Sequence, residues 1–170
     1  DALVNTGSDV IASATNHALD KGTDSIEYTL NWWEENHPDI PVLGLYDSQE
    51  ASEEIPIISC KDLKLAMLDY TYSLNGLELP SGQEYMVDVF DEEKAREDIR
   101  QAKELADVVI VVMHVGNEYE QDVDQETEEG TDIFVEEGVD VVSGSHGHVV
   151  RAMETLTGED GHKMLVYYSL

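Results

Sequence analysis

The chain has 170 residues, with 38 Asp and Glu against nine Lys and Arg, and a formal net charge of −29 at pH 7. Such a charge repels nucleic-acid phosphates and anionic lipid headgroups, which excludes both as expected partners, and it attracts divalent cations. Apolar residues make up 41% of the sequence, enough for one compact domain, and no apolar run approaches membrane-spanning length. The single cysteine, Cys60, lies in an apolar run and is predicted to be a buried thiol, which excludes a disulfide framework.

The first part of the chain alternates strand and helix patterns. A buried strand is predicted at 10–14, and a helix at 24–36, where apolar residues recur at the spacing of one helix face. Asp24 and Glu27 resemble a capping box at the start of this helix. After a turn that contains two prolines, a short strand is predicted at 42–45.

The remainder of the chain continues the same alternation. The apolar runs 55–60 and 63–72 are separated by two polar residues and predict a β-hairpin, which is followed by a loop at 73–84. The later predicted elements are a helix at 91–106, a buried strand at 108–113, an acidic helix within 122–137, a strand at 139–143 and a turn at 157–163 between two apolar runs. Strands that alternate with helices predict an α/β fold with a parallel sheet.

Four of the six histidines follow the predicted ends of three strands. His17 comes three residues after the first strand, His114 directly follows the strand at 108–113, and His146 and His148 follow the strand at 139–143. Because the carboxyl ends of parallel strands share one edge of a sheet, these side chains are expected to lie close together. Gly147, between the last two, is predicted to let the backbone turn so that both rings face one point.

These histidines can be interpreted either as ordinary structural residues or as functional ones. A single histidine at a strand end is usually a half-buried or hydrogen-bonded side chain. Four at equivalent places, beside amide and carboxylate neighbours, favour metal ligation. His37 and His162 lie in polar turns and are predicted to be solvated, and the acidic runs lack the alternating spacing of a calcium-binding loop.

Several segments resemble, in the same order, the motifs of one known family. They are SDVIASATNHALDKG (8–22), VVMHVGNEYE (111–120), GVDVVSGSHGHVVRAME (138–154) and MLVYYSL (164–170). These segments are similar to motifs of the CapA-type poly-γ-glutamate capsule proteins, which belong to the calcineurin-like metallophosphoesterase superfamily. Together they span nearly the whole chain, so residues 1–170 resemble part of one such domain.

The resemblance implies a metallophosphatase-like α/β/β/α sandwich with two divalent metal ions (Mn, Fe, Zn or Mg) at the ends of its strands. By matching of motifs, Asn16, His114 and His146 would bind one ion, and His148 would bind the other. Two neighbouring ions of this kind activate a hydroxide and hold the oxygens of a phosphoryl group.

The resemblance also implies two catalytic roles and shows several departures. His17 would be the general acid, and Glu118 a ligand or a residue that orients the substrate. The family's first two motifs would precede residue 1, so we expect the N-terminal strands and most ligands of the second ion to be missing from this chain. Val115 replaces the usual tryptophan, and Ser145 and Gly147 replace the usual histidine and proline.

Two functions from different classes follow from the resemblance. One is a metal-dependent phosphoesterase-like hydrolase in capsule synthesis, with an anionic small molecule or polymer as substrate. The alternative is a non-catalytic surface protein that binds an anionic polymer or a capsule-assembly partner. The resemblance implies the extracellular face of a bacterial cell, with anchoring by a segment outside this sequence and no direct membrane insertion by the chain itself. Because only nine basic residues are present and they are scattered, polymer binding through a metal ion is the more plausible route.

Overall fold

A six-stranded mixed β-sheet and a two-stranded parallel ladder form the centre of the computed structural model, which describes residues 2–170. The strands are β1 Ile11–Ala12, β2 Val42–Leu43, β3 Ile57–Cys60, β4 Leu63–Thr71, β5 Val108–His114, β6 Val141–Ser145, β7 Met153–Thr157 and β8 Lys163–Tyr167. The helices are α1 Ala2–Asn5, α2 Thr23–Asn36, α3 Gln49–Ser52, α4 Glu92–Leu105 and α5 Gln125–Glu137, with a 3₁₀ turn at Glu84–Met86.

The strand order of the large sheet is β3-β4-β5-β6-β8-β7. Its four inner strands, β4, β5, β6 and β8, are parallel, and β3 and β7 add antiparallel edges through hairpins. Helix α4 connects β4 to β5 and α5 connects β5 to β6, because parallel neighbours need a crossover connection. In this register Thr71 is opposite His114, and His114 is opposite Ser145. The carboxyl ends of these three strands therefore share one edge.

The layers are stacked in the order α/β/β/α. Helices α4 and α5 cover one face of the large sheet, where Ile99 and Phe134 are fully buried among the residues of β4, β5 and β6. The β1–β2 ladder lies against the other face at β4, and α2 packs outside it through Ile26. The predicted α/β class is thus confirmed, and the layer order is the one that the resemblance implied.

Asp69 joins the two sheets. Its carboxylate oxygen Oδ2 accepts hydrogen bonds from the backbone N–H groups of Ser13 (2.7 Å) and Ala14 (2.9 Å), just after β1. Gly44, with φ +75°, follows β2 at a close approach, since a Cβ atom there would lie 2.7 Å from the same oxygen. This contact fixes the loop that leads from β1 to Asn16 and His17.

Several local predictions were wrong. Cys60 is exposed, because β3 is an edge strand whose residues are mostly uncovered. The predicted capping box at Asp24 is not formed: α2 begins at Thr23 and its N-cap, Gly22, has no side chain to accept a hydrogen bond. The predicted strands at 10–14 and 42–45 shorten to two residues each.

The two histidines predicted to be solvated are both half-buried. The ring of His37 packs 5.6 Å from the ring of Trp33, and Nε2 of His162 lies 2.8 Å from the carbonyl oxygen of Val139. Across residues 2–170, no helix combines the length and the apolar character needed to cross a bilayer.

Candidate metal centre

The four strand-end histidines lie along one edge of the large sheet, with Asn16 and Glu118 beside them. His114 is the last residue of β5, and His146 and His148 form the turn that follows β6. We call Asn16, His17, His114, Glu118, His146 and His148 together the histidine rim. The structure brings all six predicted site residues to this edge, five of them in two adjoining groups and His17 beside them.

The first group is the pair Asn16 and His114. Nε2 of His114 lies 3.0 Å from Oδ1 of Asn16, and Nδ1 lies 2.9 Å from the Ser145 hydroxyl. The two atoms are hydrogen-bonded at this distance. Two atoms bound to one ion at about 2.1 Å would stand roughly 3.0–3.4 Å apart, so the same spacing would also suit two ligands of one metal. Ser145 fixes the ring through its other nitrogen, as outer partners of metal-binding histidines do.

The second group is Glu118, His146 and His148. One ligand atom of each lies within 4.8 Å of the others, and Oε1 of Glu118 is 3.7 Å from Nε2 of His148. The ring centroid of His146 is 4.7 Å from that of His114 and 5.9 Å from that of His148. His146 therefore stands between the two groups, and Glu118 lies close enough to serve as a ligand with the two histidines.

His17 lies at the outer side of the rim with partners that sequence reasoning missed. Its Nδ1 is 2.8 Å from Oδ2 of Asp20, and the Asn75 amide nitrogen is 3.4 Å from the same ring atom. Asn75 Oδ1 also accepts a hydrogen bond from Asn16 Nδ2 at 3.1 Å, which directs Asn16 Oδ1 toward His114. The His-x-x-Asp spacing was a signal for Asp20, whereas Asn75 is separated from both partners by nearly 60 positions.

The backbone is strained at two residues of the rim and at Tyr119, which follows Glu118. His146 (φ 91°), His148 (φ 52°) and Tyr119 (φ 63°) all have positive φ, a conformation that costs a non-glycine residue about 1–2 kcal/mol. Gly147 does not share it, so the turn is made by the histidines rather than by the glycine. Space is tight at Gly147, since a Cβ atom there would meet Arg151 Nε at 3.2 Å and Ser169 Oγ at 3.3 Å. Strain of this kind concentrates at functional sites.

The electrostatic environment keeps the inner imidazoles neutral. Burial lowers the pKa of His114 to about 4, and the neighbouring His146, His148 and His17 add to this effect. Burial also lowers the pKa of His146, although the Glu118 carboxylate opposes the shift. Neutral imidazole is the form that binds a metal ion, so these two rings need not lose a proton at neutral pH.

The rim is partly open to solvent, because His17, Glu118 and His148 are exposed. A cavity of about 480 Å³ lies between α2 and residues 45–51, and none of the rim residues lines it. Its walls combine apolar side chains such as Trp33 with Glu34, His37 and Asp47, and they lack the convergent imidazoles of the rim. The chemistry of the side chains therefore favours the rim as the functional site.

Comparisons with known proteins agree with the motifs. The family model described as bacterial capsule synthesis protein PGA_cap matches residues 1–170. The PGA biosynthesis protein CapA of Bacillus subtilis (strain 168) is 28% identical over 170 aligned positions, which cover 95% of this chain and 41% of that protein. A crystal structure of a candidate 5′-nucleotidase from Staphylococcus aureus, in complex with alpha-ketoglutarate, superposes with a TM-score of 0.45 and 16% identity over 75% of this chain and 31% of that one. The chain thus spans less than half the length of either protein.

Proposed function

Because the chain belongs to the PGA_cap family of bacterial capsule synthesis proteins, we propose that its histidine rim is a divalent-metal centre that acts on a phosphoester-like group during capsule synthesis. The observation that carries this proposal is the convergence of Glu118, His146 and His148, whose ligand atoms lie within 4.8 Å of one another. The adjoining Asn16–His114 pair supplies two further donor atoms. We also propose that the protein works at the extracellular face of the cell.

The donor set fits divalent metal ions. Three imidazoles, one amide oxygen and one carboxylate suit Zn, Mn or Fe better than Ca, which takes oxygen ligands almost alone. In our proposal His114 and Asn16 hold one ion, His148 and Glu118 hold the second, and His146 contributes from between them. Bound ions of this kind would polarise an anionic substrate and lower the pKa of a water molecule.

The protein's own side chains supply the proton chemistry and the orientation. Asp20, 2.8 Å from Nδ1 of His17, can accept a hydrogen bond from that nitrogen and so fixes the ring. In the doubly protonated form of the ring, Nε2 would then carry the proton that is transferred to a leaving oxygen. Asn75 holds the Asn16 amide in one orientation through its 3.1 Å hydrogen bond. In this arrangement His17 serves as the general acid and Asp20 and Asn75 as its supports.

The charge distribution favours metal-mediated recognition of an anion. Arg151 is buried, and Lys94, Arg96, Arg100 and Lys103 bond to acceptors around α4 and α5. Of the other basic residues, Lys61, Lys64 and Lys163 lie near the amino ends of β4 and β8 and therefore at the edge opposite the rim, which leaves Lys21, exposed in the loop of His17, as the one basic residue close in sequence to a rim residue. In a chain of net charge −29, an anionic substrate needs cations at the rim.

A second candidate function is non-catalytic binding of an anionic polymer through the same ions. The exposure of the rim favours this function, because an extended polymer can lie across an exposed edge but could not enter a deep pocket. Polymer carboxylates are hard oxygen ligands that a rim-bound divalent ion could bridge. This function would need the metal ligands but not the proton held by His17.

The test is metal content and hydrolysis in the complete protein. We expect the purified protein to retain Mn, Zn or Fe, measured by mass spectrometry, and to hydrolyse chromogenic phosphomonoesters or phosphodiesters. His146→Ala should lose at least one ion and the activity, whereas His37→Ala, a histidine outside the rim, should keep both. A protein that neither retains nor takes up a divalent ion would refute the proposal, and metal binding without hydrolysis would favour the second candidate.

A further inference from the structure

Arg151 is a cationic side chain buried directly behind the histidine rim. Its side chain has no exposed area, although the chain carries only nine basic residues. We propose that Arg151 is a positioning residue that holds Glu118 in place against the turn formed by His146 and His148. This inference rests on the proposed metal centre, because it treats Glu118 as one of the ligands.

The guanidinium group brackets the short segment that carries Glu118. Its Nη2 donates a hydrogen bond to the carbonyl oxygen of Asn117 (2.7 Å), and its Nε donates one to the carbonyl oxygen of Glu120 (3.0 Å). These two carbonyl groups lie immediately before and after Glu118 and Tyr119. One rigid, planar group thus sets the path of the backbone on both sides of the candidate ligand.

Asp124 completes the clamp and anchors it to α5. Its Oδ2 accepts hydrogen bonds from Arg151 Nη1 (3.1 Å) and from the Asn117 backbone N–H (2.9 Å), while Oδ1 caps α5 by accepting from Thr127 N–H (3.0 Å). Burial opposes ionisation of this carboxyl, but the hydrogen bonds from Thr127, Asn117 and Arg151 prevail and lower its pKa. The buried cation therefore faces a charged partner fixed at the start of a helix.

Arg151 also packs against the turn of the rim. A Cβ atom on Gly147 would lie 3.2 Å from Nε, and one on Gly116 would lie 2.7 Å from Nη1, so glycine at both positions leaves space for the guanidinium. The Tyr119 N–H donates to the Gly147 carbonyl oxygen at 2.8 Å, which ties the bracketed segment to the turn. Arg151 thus contacts both segments that present ligands.

The exposure of Glu118 explains why such a support is needed. The Glu118 side chain is 45% exposed, and its ion pair with His148 is a loose contact of 3.7 Å. A solvent-exposed glutamate loses conformational entropy when it binds, and a backbone that is already fixed reduces that loss. Loss of an outer-shell support typically lowers metal affinity about 10–100-fold.

The test is a double-mutant cycle on Mn²⁺ affinity in the complete protein, measured by calorimetric titration. We expect Arg151→Gln and Glu118→Gln each to weaken Mn²⁺ binding at least about tenfold. If Arg151 acts through Glu118, the double variant should bind no more than about threefold more weakly than Glu118→Gln alone. Arg100→Gln, an exposed arginine on α4, is the control and should leave affinity unchanged. If Arg151→Gln weakens Mn²⁺ binding by the same factor in the unaltered protein and in the Glu118→Gln variant, the inference is wrong.

A second readout separates this inference from the proposed function and from simple misfolding. Hydrogen exchange at the amides of Asn117 and Tyr119 reports the clamp in the metal-free protein, and Arg151→Gln should accelerate both while the amides of β5 stay protected. Arg151→Lys keeps the charge but lacks the fork of donors, so it should fold and still exchange faster at both amides. If the unaltered protein binds no metal, the proposed function fails. Unchanged exchange in a folded Arg151→Lys variant would refute the positioning role whether or not metal binds.

Discussion

The α4–α5 face and the histidine rim both carry charged and polar side chains, but these side chains have different partners in the two regions. On the helical face, Glu137 accepts hydrogen bonds from Arg96 (2.8 Å) and Arg100 (2.6 Å), and its carbonyl oxygen accepts one from Lys103 (2.8 Å). Both helices are regular and have side-chain caps at their starts. At the rim, His146, His148 and the neighbouring Tyr119 have strained backbones, and the ring of His146 lies beside the rings of both His114 and His148.

This difference separates groups that stabilise the fold from groups that await a ligand. Where pairing is complete and local rules are obeyed, substitution should reduce stability and leave function intact. Where like groups converge on a strained backbone, substitution should remove function and cost little stability, because proteins depart from local rules mainly at functional sites. Each of the following predictions tests one side of this distinction.

The largest effect is expected at His17. Replacement by glutamine removes the proton that we assign to the leaving oxygen, so phosphoester hydrolysis should fall about 10²–10⁴-fold. The free energy of unfolding should change by less than about 0.5 kcal/mol, because the side chain is 64% exposed. Mn²⁺ affinity and hydrolysis, measured together, check this. An unaltered rate would show that His17 is not the acid, and His37→Gln is the matched control outside the rim.

The next effect concerns Asp69, which joins the loop of His17 to β4. Burial raises the pKa of this carboxyl to about 7, although the hydrogen bonds from Ala14 and Ser13 oppose the shift. Between the ordinary aspartate pKa near 4 and this value, the folded protein keeps a proton that the unfolded chain has lost. The contribution to stability is therefore present below about pH 4 and is lost as the pH rises through 7.

Asp69→Asn should remove that pH dependence. Its amide oxygen can still accept from the loop, and the difference in unfolding free energy from the unaltered protein should grow by on the order of 1 kcal/mol per pH unit between about pH 4 and 7. Urea unfolding at several pH values measures it, with the exposed Asp132→Asn as control. Parallel pH curves for the Asp69→Asn variant and the unaltered protein would contradict the assignment.

On the helical face, Glu137→Gln should destabilise the protein by about 1–2 kcal/mol. It removes the charge that two arginines share, on a carboxyl group of which only 12% is exposed, and exposed neighbours screen part of the effect. Metal binding should be unaffected, since Glu137 ends α5 close to the amino end of β6, at the edge of the sheet opposite the rim. Glu136→Gln, which loses a single contact with Arg96, should cost less than half as much. A change in Mn²⁺ affinity in either variant would break the proposed separation.

The sequence predicted the fold class and family more completely than the site. The apolar run 108–113 and the helical pattern over 91–106 predicted β5 and α4, and the match over residues 1–170 confirms the resemblance that the motifs suggested. Cys60 was assigned wrongly, because an apolar run does not reveal that its strand lies at the edge of a sheet. Pattern reasoning works where burial is determined by elements close in sequence.

The supports of the site were beyond the reach of sequence patterns. Asn75 meets Asn16 across 59 positions, and Arg151 meets Asn117 across 34, through contacts that only the tertiary structure creates. A lone arginine in a strongly acidic chain is normally interpreted as a surface residue, so nothing near Arg151 indicated burial. The four histidines of the rim were predicted to lie close together because they follow strand ends, a position that the alternation of strands and helices determines, and their role as ligands stays a prediction.

The smallest effect concerns the strain at His148 and gives the most direct comparison. His148 and His17 are both exposed rim histidines, but only His148 has a positive φ, of 52°. Glycine relieves a left-handed conformation worth about 1–2 kcal/mol, whereas elsewhere it costs about 0.5–1 kcal/mol through backbone entropy. Loss of the stacking between the rings of His148 and Tyr119, 5.5 Å apart, offsets part of the gain.

In the presence of a chelator, His148→Gly should therefore raise the free energy of unfolding by up to about 1 kcal/mol. His17→Gly should lower it by about as much, and urea denaturation measures both. With Mn²⁺ added, His148→Gly should instead be less stable than the unaltered protein, because the unaltered protein gains stability from binding and the variant has lost a ligand. If the variant is more stable than the unaltered protein without metal but less stable with Mn²⁺, the conformation of His148 serves binding rather than folding. If His148→Gly instead destabilises the metal-free protein as His17→Gly does, the turn is an ordinary structural element and the contrast with the α4–α5 face fails at this residue.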